Sequence, residues 1–148
     1  MKMASATNLE YHVSAKRLDS HGSEARAKQA VVTLDTDIKG RSDALNPAEL
    51  LLASLAACII KGIERVMPML HFRLQGVNVK LHGIREDAPP RMASIDYEIA
   101  VDTDEDDRRL ELLHTNVRKY GTVSNTLAGT VELRGTIRRM TPAEKQGA

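Results

Sequence analysis

Asn46-Pro47-Ala48-Glu49-Leu50-Leu51-Leu52-Ala53-Ser54-Leu55-Ala56-Ala57-Cys58 is the stretch that decides the fold, and it carries the chain's single thiol. Asn46 suits a helix N-cap and Pro47 the first helical position. Glu49 stands third, from where its carboxylate can return to the Asn46 amide in a capping box. The helix predicted here spans about 46–67, because Pro68 disfavours helical geometry at the residue before it. Its first half is apolar nearly all round, the pattern of a buried central helix, whereas Lys61, Glu64 and Arg65 give the second half a wet face.

Upstream, Tyr11, Val13 and Ala15 alternate with His12, Ser14 and Lys16, the period of a half-buried strand, and Arg17 falls on its inward parity. Turn formers follow over Asp19-Ser20-His21-Gly22-Ser23. Ala25 to Asp35 reads as a returning strand, so about 10–35 is predicted to be an N-terminal hairpin. Asp37 to Leu45 is a loop. Downstream, Val77, Val79 and Leu81, then Ile95, Tyr97, Ile99 and Val101, alternate with polar residues as one-sided antiparallel strands joined through Asp87-Ala88-Pro89-Pro90. A second helix is expected from Thr103 or Asp104, with Leu110, Leu113 and Val117 on one stripe and Gly121 as a left-handed C-cap. Thr122 to Gly129 reads as a short capped turn or helix, and Val131, Leu133 and Ile137 as the last strand. Sheet and second helix thus occupy about 75–140. The order implies an α+β fold, antiparallel sheets with segregated helices.

Composition is that of one globular domain, residues 1–148: 42% of side chains are hydrophobic and 28% charged. The 21 basic residues nearly cancel the 20 acidic ones, so no polyanionic partner is implied. One Phe and three Tyr offer little for bases to stack on. Nucleic acid is therefore not an expected partner, and Arg134, Arg138 and Arg139 read as a solvated strand face. The longest apolar run, Leu50 to Ile60, is too short to cross a bilayer, and Met1 to Asn8 lacks a secretory apolar core. One cysteine cannot form an internal disulfide, which agrees with a reducing, cytoplasmic setting. The histidines at 12, 21, 71, 82 and 114 show no zinc-ligand spacing. Asp102 to Asp107 lacks the glycine and distal glutamate of a calcium loop and reads as an acidic helix start. Neither a metal nor another cofactor is expected.

Cys58 is the one strongly nucleophilic, redox-active side chain. On a helix it shares a face with Leu51, Ser54, Leu55, Lys61, Gly62 and Arg65. The two cations could lower the thiol pKa or extend into solvent, and a lone cysteine also serves as a small core residue. The pattern leaves both readings open.

The Asn46-Pro47-x-Glu49-Leu50-Leu51-x-Ala53-x-x-Ala56-Ala57-Cys58 run resembles the reactive-cysteine helix of the OsmC/Ohr superfamily. Tyr120-Gly121-Thr122-Val123-Ser124-Asn125-Thr126-Leu127 resembles its second landmark, a short helix opened by a cysteine, with Gly121 at the cysteine's place. The resemblance runs from about Tyr11 to Met140. It implies an OsmC-like fold, an intertwined homodimer and thiolate attack on organic hydroperoxides, with Cys58 as the peroxidatic residue. Without a second cysteine, an external thiol must resolve the oxidised form. The resemblance further implies an arginine holding the thiolate, best matched by Arg17 and next by Arg26. It also implies a glutamate directly after the helix-opening proline, where this chain has Ala48; the acid stands one residue on, at Glu49. That step turns the side chain by about 100°, placing Glu49 roughly opposite Cys58 and about 14 Å away along the axis. Capping explains Glu49 unaided, and catalysis by it would need another segment or subunit. Ser124 and Thr122 suit hydrogen bonding near Cys58 and helix capping equally. The rival expectation is a fold relative without peroxidase chemistry that binds an apolar or electrophilic small molecule at the dimer interface.

Overall fold

A computed structural model of the chain describes residues 8–147, so the reading of Met1 to Asn8 lies, apart from Asn8, outside the described residues. The chain divides into two compact units, Met1–Leu50 and Leu51–Ala148.

The first unit is an antiparallel meander of β1 (Ser14–Arg17), β2 (Gly22–Ala27) and β3 (Ala30–Asp35). The predicted returning strand is therefore two strands. Ala27 pairs with Ala30 across a two-residue reversal at Lys28, whose φ of 56° is the left-handed value such a turn needs without a glycine to announce it. Tyr11 to Val13 precede β1, and all four β1 residues are exposed, so the expected inward side at Arg17 is not seen. Buried Asp35 organises the following loop by accepting from the amides of Asp37 and Arg41 at 3.1 and 3.0 Å.

Helix α1 (Pro47–Leu70) starts as predicted. Asn46 Oδ1 accepts from the Glu49 amide at 2.8 Å, and Glu49 Oε1 accepts from the Asn46 amide at 3.0 Å. It does not stop before Pro68. Pro68 stands in the last turn, and the helix continues only to Leu70 beyond it. The chain leaves through His71, at a φ of 49°, while the Phe72 amide donates to the Met67 carbonyl. Burial follows one stripe, Leu55, Ile59, Gly62, Ile63 and Val66, while Ser54, Ala57 and Ile60 are exposed. The all-round burial expected of the first half is thus corrected.

In the second unit, β4 (Gly76–Asp87) and β5 (Pro90–Asp102) are antiparallel, and their apolar residues pair directly, Val77 with Val101, Val79 with Ile99 and Leu81 with Tyr97. The last strand, β6 (Glu132–Arg139), runs parallel to β5, giving the order β4-β5-β6. The all-antiparallel expectation fails here because α2 (Asp107–Tyr120) and α3 (Thr122–Ala128) form a crossover long enough to return the chain in the same direction. The α2 helix begins later than expected. Thr103 instead donates to the Arg73 carbonyl, and Asp106 caps the helix by accepting from the Arg109 amide at 2.9 Å. A final short helix, α4 (Pro142–Gln146), carries a Thr141–Glu144 capping box.

The core packs the α1 stripe and Leu110, Leu113 and Val117 of α2 against Ile95, Ile99 and Val101 of β5. Each such fully buried side chain contributes about 1.5–3 kcal/mol. Tyr97 belongs to this layer, and its hydroxyl lies 2.7 Å from Nε2 of buried His114. The arginines expected on a solvated strand face are ion-paired there: Arg134 with Asp96 and Glu132, Arg138 with Glu98 and Glu144. Arg138 and the Thr141 amide pull the Glu144 carboxyl down to about 2.

Candidate functional site

Two contacts fix how α1 and α2 lie together. At one end, the Arg109 guanidinium donates to the Leu70 carbonyl and stacks over the Phe72 ring at 5.9 Å. Two turns back along α1, Gly62 meets Val117, two turns forward along α2: a Cβ on Gly62 would lie 3.3 Å from Val117 Cγ1 and 3.9 Å from its Cα. The helices therefore run in opposite directions past these two contacts. One turn before Gly62 on α1 stands Cys58, and one turn after Val117 comes Gly121, the residue that links α2 to α3.

Gly121 is not the left-handed C-cap expected. Its φ of −79° and ψ of 116° are extended values open to any residue. Space is what a side chain would lack there. A Cβ would stand 3.0 Å from Ser124 Oγ and 3.2 Å from the Val117 carbonyl oxygen. Ser124 is only 6% exposed, and its hydroxyl makes no hydrogen bond to the described residues.

Cys58 is a free, half-buried thiol on the edge of the stripe that faces α2, with Lys61 and Arg65 of the same face exposed. The other expected site residues, Arg17 and Glu49, belong to the first unit. Arg17 ends β1, exposed and paired across the ladder with Ser23. Arg26 is engaged by Glu24 at 3.1 Å. Glu49 is held in its capping box.

Sequence reasoning missed the Tyr97–His114 pair, although His114 falls on the apolar stripe of Leu110, Leu113 and Val117. Burial lowers the His114 pKa and raises that of Tyr97, which favours the neutral form of both, and the imidazole tautomer sets which of the two donates. An open groove of about 1010 Å³ lies at the far end of α1, lined by Met67, Phe72, Arg73, Asp102, Glu105 and Lys145. Some of its charges are paired: Glu105 accepts from the Arg73 amide and from Arg109, and Lys145 from α4 meets Asp102 at 3.2 Å. Among the described residues, no three His, Cys, Asp or Glu side chains cluster as metal ligands, and no helix is long and apolar enough to cross a membrane.

Comparison with known proteins adds the family. No curated protein matches the chain in sequence. Solved structures do match its fold. The OsmC-like protein from Mycoplasma pneumoniae aligns with a TM-score of 0.84 at 18% identity, over 91% of this chain and 100% of that one. An organic hydroperoxide resistance protein OsmC from Legionella pneumophila aligns at 0.66 and 18% identity over 88% and 98%. An organic hydroperoxide resistance protein from Elizabethkingia anophelis, with thiocyanate bound, aligns at 0.71 and 14% identity over 90% and 100%. At such identities the likeness establishes the fold. The family description "OsmC-like protein" matches residues 40–134, from the loop before α1 into β6. The chain belongs to the OsmC-like protein family.

Proposed function

We propose that this protein reduces organic hydroperoxides, or related electrophiles, through Cys58 alone, and that an external thiol restores the cysteine. The observation that supports this reading is the free, half-buried thiol of Cys58 within the segment that the OsmC-like family description matches. In the proposed step the Cys58 thiolate attacks the terminal peroxide oxygen. The S–O bond forms, the O–O bond breaks, and the departing alkoxide takes a proton to leave as an alcohol. Two equivalents of thiol then return the sulfenic acid to thiol through a mixed disulfide, with water and a disulfide as products.

Arg17, or failing it Arg26, is the proposed partner of the thiolate. A role for Glu49 beyond capping would require its release from the Asn46 amide or delivery from a second copy of the chain. The proposed working form is a cytoplasmic homodimer of one OsmC-like domain. The family match, which crosses both units, supports the single domain. Tyr11, Val13 and Leu18, 79%, 71% and 51% exposed, supply apolar surface of the kind a second copy would cover.

The test is consumption of cumene hydroperoxide with excess 2-mercaptoethanol. Turnover by the native protein and none by Cys58→Ser supports the reading. Undiminished turnover by Cys58→Ser, or none by the native protein, overturns it. Cumene hydroperoxide binding retained without turnover would favour the binding-protein alternative, which the lack of sulfur at Gly121 motivates.

A further inference from the structure

We propose that α4 is a strap at the rim of the groove at the far end of α1, held closed by its ion pairs and released as one piece about Met140 and Thr141. The inference is independent of Cys58. Met140 is the last anchored residue before the strap: its side chain is 7% exposed, and its amide donates to the Val101 carbonyl at 2.8 Å. Beyond it, no residue of α4 is buried. A helix of five residues does not persist in water on its own, so α4 stays formed through its cap and its tethers.

Those tethers are ionic. Arg138 Nη1 and Nη2 donate to the two Glu144 carboxylate oxygens at 2.7 and 2.9 Å, and Nη2 also donates to Glu98 at 3.0 Å. The guanidinium is thereby fixed between β5 and β6 and grips α4 from the sheet. One residue on, the Lys145 ammonium meets Asp102 at 3.2 Å, where β5 ends. Lys145 and Asp102 both line the groove, so this pair closes part of its wall. All four side chains are partly exposed, and such pairs are individually weak and screened by salt. Release of α4 frees the Asp102 carboxylate on a wall that already carries Asp104 and Glu105.

Glu144→Gln separates tether from cap, because glutamine still accepts from the Thr141 amide but offers Arg138 no charge. Lys145 is untouched in that variant. Modification of carboxylates with carbodiimide and glycine ethyl ester, located by peptide mass, should nevertheless rise at Asp102 by about twofold to fivefold, the population shift that loss of one exposed ion pair allows. Asp104, an exposed carboxylate of the same groove, is the internal reference. NMR relaxation of the native protein supplies the second measurement. Backbone order parameters of Ala143 to Lys145 should be about 0.85 in about 20 mM NaCl and fall below about 0.6 in about 1 M NaCl, while Val101 and Met140 stay rigid. Arg134→Gln, which removes the Asp96 and Glu132 pairs instead, should leave both readouts at native values. Asp102 labelling in Glu144→Gln that matches native, or α4 order that survives high salt, would overturn the proposal. So would an α4 already loose in low salt, or order lost from α4, Val101 and Met140 together, since the sheet edge and not a strap would then be moving.

Discussion

Replacing Gly135 with alanine should break the contact that ties α2 to the sheet. Gly135 lies on β6 directly opposite Tyr97 of β5, and a Cβ there would enter the Tyr97 ring. The ring cannot swing away freely. It is 5% exposed, its hydroxyl is fixed 2.7 Å from His114 Nε2, and the two rings meet edge to face at 5.6 Å. Forcing a methyl into a packed site costs about 1–3 kcal/mol. Separating the phenol from the imidazole forfeits about 1 kcal/mol more, or up to about 3 if either group stays buried and unpartnered. Relief of glycine's backbone entropy in a strand returns about 0.5–1 kcal/mol. The net expectation is a loss of about 2–4 kcal/mol, a large share of the roughly 5–15 kcal/mol typical of a domain. Urea unfolding of the native protein, Gly135→Ala, Tyr97→Leu and the double variant measures it. With the ring gone, Gly135→Ala should cost markedly less, leaving a coupling of about 1–2 kcal/mol. A loss below about 0.5 kcal/mol for Gly135→Ala, or strict additivity in the double variant, would refute the reasoning.

Two further predictions concern pH. Burial lowers the His114 pKa below its value of about 6.5 in the unfolded chain, so the unfolded state binds the extra proton first. This contribution to stability is complete above about 6.5 and is lost as pH falls through the lowered folded value; the urea midpoint should drop from pH 7 to 5, and less so in His114→Gln. His21 behaves oppositely: hydrogen bonding to Asp37 at 2.6 Å raises its pKa, so its contribution is present below about 6.5 and fades as pH rises through the folded value. In an NMR titration, Asp37→Asn should bring the His21 midpoint down. An unmoved midpoint would show that Asp37 does not hold the ring.

The parts of this fold legible in the sequence are those written in local chemistry. Asn46-Pro47-x-Glu49 starts α1 with both capping bonds in place, and the alternation of Val77, Val79 and Leu81 finds its match on β5. What escaped depends on partners distant in sequence or on atypical backbone. Lys28 makes a turn usually given to glycine or asparagine. The direction of β6 is set by the length of the α2–α3 crossover, not by any residue within it. The Thr141-Pro142-Ala143-Glu144 signature of α4 was there to be read. In the candidate site, the helix face of Cys58 followed from the period of 3.6 residues. The opposite run of α1 and α2 beside it came only from Arg109 reaching Leu70 and Gly62 meeting Val117, contacts that no single-helix pattern reports.

The central claim is that Cys58 is oxidised by a hydroperoxide. The most direct measurement is the intact mass of the native protein after one equivalent of cumene hydroperoxide, with and without a sulfenic-acid trap such as dimedone. The account predicts one added oxygen, or one dimedone adduct when the trap is present, located at Cys58 and reversed by 2-mercaptoethanol in the untrapped sample. An unmodified Cys58 thiol after that exposure would contradict it.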